Sequence, residues 1–69
     1  MTGAEARRIR EARGHSQSEW GRRLGRTWQT VSAWENEREA LPMAVCQALR
    51  LCDEHGLDLY PVTPAGEAA

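Results

Sequence analysis

Residues 16–35, SQSEWGRRLGRTWQTVSAWE, constrain the fold more than any other part of the chain, because they encode two helices with almost no chain between them. Ser16-Gln17-Ser18-Glu19 has the S-x-x-E form of a capping box, in which the Ser hydroxyl takes an orphan N–H of the first turn. Trp20 and Leu24 follow at i and i+4, on one helix face. Gly25 stops this helix after about two turns. Thr27 is a good N-cap for the next helix, in which Val31 and Trp34 stand at i and i+3 toward a core. Gly21 costs about 1 kcal/mol relative to Ala inside a helix. Close approach of the following helix, which a side chain would block, is the expected compensation. Two short helices joined by a tight Gly-containing turn form one supersecondary unit.

The flanking sequence supplies one helix on each side. Thr2-Gly3-Ala4-Glu5 is a second capping box, T-x-x-E, opening a helix over about residues 3–13. Ala6 and Ile9 give it a narrow apolar stripe, with Ala12 a candidate third member, and Gly14 ends it. Residues 36–41, NEREAL, read as an exit loop. Pro42 suits the first position of a fourth helix, which runs to about residue 54 with Val45, Ala48, Leu49 and Cys52 inward. Gly56 is a natural stop. Leu57-Asp58-Leu59-Tyr60 alternates briefly and suits a short extended segment, and Pro61, Pro64 and the small residues after them suggest a flexible tail. The expectation is a single all-α domain over residues 1–60, with four helices or five, and a tail over 61–69.

Sixty-nine residues allow one small core, so dimerisation would help stability. Hydrophobic residues at 41% and charged residues at 28% are ordinary for a globular domain and argue against disorder. No apolar run reaches the ~18 residues of a membrane span. The opening MTGAEARRIREARG lacks the apolar centre of a secretory signal, which points to the cytoplasm. Net charge is −1, but residues 1–38 carry eight Arg against five Glu, and residues 39–69 carry one Arg against five acidic residues. An Arg-rich half reads either as a phosphate-binding face or as a solvated surface.

Cys46 and Cys52, six apart in one helix, point to different faces and cannot bridge each other there. They read as small reduced side chains. His15 and His55 lack the neighbours of a catalytic or metal site. No Ser-His-Asp, Cys-His or paired-carboxylate constellation and no Gly-rich phosphate loop is visible. Neither enzyme activity nor a metal or other cofactor is expected.

Ile9-Arg10-Glu11-Ala12-Arg13-Gly14, Ser16-Gln17, Leu24-Gly25, Val31 and Trp34-Glu35 resemble, in order and spacing, the Cro/CI-type (lambda-repressor-like, XRE) helix-turn-helix regulators. The resemblance covers roughly residues 4–57. It departs from the family at His15, where an apolar residue is usual, and at Trp20 and Gly21, where Leu and Ala are usual. It departs also at Glu37, where Gly or a small polar residue is common, and it lacks an obvious fifth apolar helix. What the resemblance implies is a compact lambda-repressor-like domain with the helix-turn-helix at helices 2 and 3. Its activity would be sequence-specific binding to double-stranded DNA as a transcriptional repressor. A homodimer would occupy an inverted-repeat operator, block the promoter and regulate its own operon. Phage regulators, anti-CRISPR-associated repressors and antitoxins include such small chains.

The resemblance also assigns roles. Trp28, Gln29, Ser32 and Ala33 would face base edges, with Gln29 able to pair with adenine N6 and N7. Trp28 has two placements open, on the DNA face or folded back on helix 2 as core. Gln17 would donate to a phosphate, and Ser16, Arg26, Thr27, Thr30 and Arg38 are further phosphate candidates, as are Arg22 and Arg23. Ser16 also suits capping alone, and Thr30 also suits the helix junction. Arg7 and Arg8 read as solvated. Arg10 and Glu35 would form a structural ion pair, and Trp20 and Trp34 belong to the core. Leu57, Leu59 and Tyr60 are the candidate dimer contact. The rival readings are an antitoxin-type regulator with a protein partner, and a helical protein-interaction module that has lost DNA binding.

Overall fold

The computed structural model describes residues 1–59, and every regular element among them is helical. The order is α1 Gly3–Ala12, α2 Gln17–Leu24, α3 Trp28–Glu35 and α4 Met43–His55. Three of the four starts follow the side-chain caps read from sequence. Glu5 N donates to Thr2 Oγ1 at 3.1 Å, Glu19 N to Ser16 Oγ at 3.1 Å, and Thr30 N to Thr27 Oγ1 at 3.4 Å. Pro42 differs from expectation by one position. Its ψ of 148° is extended, so it is the N-cap, and Met43 is the first helical residue. The Pro42 carbonyl opens the α4 ladder by accepting Cys46 N at 3.0 Å.

The helix ends also differ slightly from expectation. α1 stops at Ala12, because Arg13 N turns back to Arg10 O at 3.0 Å. α4 continues to His55 before Gly56 closes it at φ 64°. α3 ends in a Schellman arrangement, with Arg38 N donating to Ala33 O at 2.8 Å and Glu37 N to Trp34 O at 3.1 Å. That motif needs a left-handed residue, and Glu37 supplies it at φ 58°. Gly would adopt this conformation without the Cβ penalty. Residues 57–59 form no extended ladder, and position 60 and the tail over 61–69 lie outside the described residues.

The core joins all four helices. Ile9, Trp20, Val31 and Leu49 are almost fully buried, with Ala6, Trp34 and Val45 beside them. Cys52 is buried as well, and Ala48 is half-buried. Ala12 is exposed, and the third buried side chain of α1 is instead Arg10, whose charge is met by Glu35.

Gly21 has the close neighbour its position implies. A Cβ there would lie 2.9 Å from Arg26 O, Thr27 C and Thr27 O, all of them backbone atoms. Backbone at the start of α3 cannot swing aside as a flexible side chain could. Gly21→Ala gains about 1 kcal/mol of helix propensity. Overpacking costs about 1–3 kcal/mol, so the expected result is a net loss of stability in urea denaturation. A variant as stable as the parent would show that the α2–α3 turn yields freely.

Candidate nucleic-acid interface

Glu35, the last residue of α3, is the centre of a polar network that sets how the helices meet. Arg10 Nε donates to Glu35 Oε2 at 2.7 Å and Arg10 Nη2 to Glu35 Oε1 at 3.0 Å, a bidentate fork. The two side chains are only 10% and 4% exposed. The Glu35 hydrogen bond raises the Arg10 pKa, against the opposing pull of burial. Arg10 Nη1 also donates to His15 O at 2.7 Å, and Gln17 Nε2 donates to Glu35 Oε1 at 3.1 Å. The expected Arg10–Glu35 pair is therefore present. The tie to Gln17 had no local signal, since the two residues lie 18 apart.

α3 turns Val31 and Trp34 inward and leaves Trp28 and Gln29 exposed, with Ser32 and Ala33 half-buried. Trp28 is 52% exposed, so it does not fold back as core. Asn36 Nδ2 donates to Ser32 Oγ at 3.1 Å, which ties up part of that hydroxyl. Ser16 Oγ and Thr27 Oγ1 cap their helices, and Thr30 Oγ1 lies 3.4 Å from Thr27 Oγ1 at the start of α3.

The arginines divide in a way that linear charge did not reveal. Arg22 pairs with Glu19 at 2.8 Å. Arg23 pairs with Glu19 at 3.1 Å, donates to Leu59 O and lies 3.8 Å from Asp58. Both phosphate candidates thus have partners within the chain, but the Arg22 side chain is still 72% exposed, whereas that of Arg23 is 19% exposed. Arg7 pairs with Glu11 and Arg8 with Asp53, and both stay well exposed. Arg13 donates to Leu57 O at 2.7 Å and to Cys52 O. Arg26, Arg38 and Arg50 remain exposed and make no ion pair among the described residues. Arg26 stands immediately before α3 and Arg38 just after it.

His15 has structural partners. Its ring stacks on Trp20, with centroids 5.5 Å apart, and its Nε2 lies 2.8 Å from Asp58 Oδ2. The Asp58 partner lies 43 residues from His15, a separation that no local spacing could signal. Burial pushes the Asp58 pKa up, but hydrogen bonds from His15 and the Leu59 N–H, with the charges of His15 and Arg23, hold it below the usual value. The Arg8 hydrogen bond likewise lowers the Asp53 pKa. Of the candidate dimer residues, Leu57 is 55% exposed, while Leu59 packs against the chain's own core. Leu59 is thus only partly available, and Tyr60 lies outside the described residues.

Cys46 and Cys52 are both free thiols. Among the described residues, no three His, Cys, Asp or Glu side chains converge as a metal-ligand set, and no helix is long and apolar enough to cross a membrane. No family model, curated protein or solved structure matches the chain.

Proposed function

We propose that the chain is a sequence-specific double-stranded DNA-binding repressor of the lambda-repressor-like helix-turn-helix kind, with α2 and α3 as the motif. The observation that carries this reading is the exposed face of α3. It offers Trp28, Gln29, Ser32 and Ala33, and it is flanked by Arg26 and Arg38, which are exposed and make no ion pair among the described residues. Groove readout needs this division, with hydrogen-bonding and apolar groups for base edges and free guanidinium groups for phosphates. Gln29 pairs with adenine, the Trp28 indole packs on thymine methyls or sugar, and Ser32 and Ala33 allow close approach. Gln17, Ser16, Thr27 and Thr30 lie at the starts of α2 and α3, where helix N-termini attract phosphate. A homodimer places two copies of α3 in successive major grooves, about 34 Å apart on an inverted repeat, and blocks a promoter by occupying it. Of the candidate dimer residues, Leu57, 55% exposed, is the one offered to that partner among the described residues.

Selection from a randomised duplex pool at two salt concentrations tests this reading. The expected result is an enriched palindrome whose affinity falls steeply with salt, as counterions are released at each phosphate contact. Gln29→Ala relaxes base choice at one position of each half-site, at about 1–3 kcal/mol. Arg26→Ala weakens all sequences alike and lowers the salt slope by about one. If neither variant changes binding, α3 does not read the groove by this face. A helical protein-interaction module is the second reading, favoured by the internal pairing of Arg8, Arg10, Arg22 and Arg23. Absence of binding even at low salt selects it.

A further inference from the structure

Gln17 opens α2 half-buried, and its amide is not free to turn. Its Nε2 donates to Glu35 Oε1 at 3.1 Å. A carboxylate oxygen can be met only by the NH2 end of an amide, so this bond fixes which way the group faces. The carboxylate is itself immobile. It is held by two guanidinium bonds from Arg10 at 2.7 and 3.0 Å, and its side chain is 4% exposed. Arg10 is held in turn by His15 O, in the turn that leads into Ser16. One N–H of Gln17 is therefore spent on Glu35, and the other N–H and Oε1 remain. Ser16 Oγ takes only the Glu19 N–H, so the first backbone N–H groups of α2 have no side-chain cap beside that amide.

We infer that Glu35 is the positioning residue for Gln17, holding its amide so that the second N–H meets a DNA phosphate at the start of α2. The inference rests on the DNA-binding reading above. The ion pair that joins α1 to α3 then does a second job. It orders a long side chain during folding, so that the rotamer freedom of Gln17 is not lost at the moment of binding. It also couples the phosphate contact of α2 to the seat of α3, since one carboxylate anchors both.

A double-mutant cycle on binding to the duplex recovered from the pool tests the coupling. Gln17→Ala is expected to weaken binding about tenfold, the worth of one charge-assisted hydrogen bond. Replacing the ion pair by Arg10→Met with Glu35→Leu keeps an apolar filling of the site and releases Gln17. It is expected to weaken binding several-fold when Gln17 is present and to have little effect in the Gln17→Ala background. A merely structural role would cost the same with or without Gln17, and that additive result overturns the inference while leaving DNA binding in place. Should the apolar pair not fold, Glu35→Gln replaces it in the cycle, since it leaves one acceptor oxygen for three donors. In the free parent protein, side-chain NMR should show slowed exchange for one Gln17 amide proton. Two freely exchanging protons would overturn the inference on their own. If the parent binds no duplex at all, the DNA-binding reading falls and the inference falls with it, whatever the NMR shows.

Discussion

Glu35→Ala is expected to lower the unfolding free energy by about 3–5 kcal/mol, because it strands the Arg10 guanidinium in a site 10% exposed to water. The loss has two parts. The bidentate bonds at 2.7 and 3.0 Å disappear, and a buried cation is left with no counter-charge. The remaining bond from Arg10 to His15 O cannot neutralise it. A domain of this length has about 3–10 kcal/mol to lose, so a large part of the Glu35→Ala population should be unfolded without denaturant. Urea denaturation followed by helical circular dichroism measures this directly. Arg10→Met with Glu35→Leu should remain within about 1–2 kcal/mol of the parent, since replacing a buried pair by apolar groups is often near neutral. A Glu35→Ala loss below about 1 kcal/mol would mean that the pair is solvated and does not set the helix angles.

The contrast between that pair and the other ion pairs shows what could be read along the chain and what could not. Caps act over three residues, so Thr2, Ser16 and Thr27 were legible as helix starts, and the 3.6-residue period placed Ile9, Trp20, Val31, Trp34 and Leu49 in the core. Gly21 was legible too, because its cost inside a helix demanded a close neighbour, and the start of α3 is that neighbour. Charge was not legible in the same way. A basic half followed by an acidic end suggested one basic face, but folding brings the two ends together. Arg8 meets Asp53 45 residues on, and His15 meets Asp58 43 residues on. Side-chain hydrogen bonds over such separations depend on tertiary approach, which no local pattern encodes. The outer face of α3 followed from periodicity, but the partners of the arginines near it did not. Arg26 and Arg38 stood out by their places on either side of α3, but nothing local showed that the carbonyl of Leu59 would take Arg23.

Two of the tryptophans should respond to truncation in opposite ways. Trp20 is 1% exposed and lies in the cluster formed with Ile9, Val31 and Leu49. Trp20→Ala should cost about 3–5 kcal/mol, combining lost burial with the cavity left behind. A second consequence follows from the stack on His15 at 5.5 Å. Without the indole, His15 loses the surface that holds its ring toward Asp58, and residues 57–59 are left to the Arg13 and Arg23 bonds to their carbonyls, the Leu57 N–H bond to Cys52 O, the approach of Arg23 to Asp58 and the packing of Leu59. Loosening should therefore spread from α2 to the segment after α4, with faster amide exchange at Asp58 and Leu59. Trp20→Leu should recover part of the stability, because an apolar side chain still fills part of the site, but not the order at His15. Trp28 is 52% exposed, so Trp28→Ala should stay within about 0.5 kcal/mol of the parent. Its cost should fall on duplex binding instead. Thermal unfolding of both variants, read beside their binding curves, separates the two roles. Equal stability losses would mean that the α3 indole is packed in solution and is not part of the groove-facing surface.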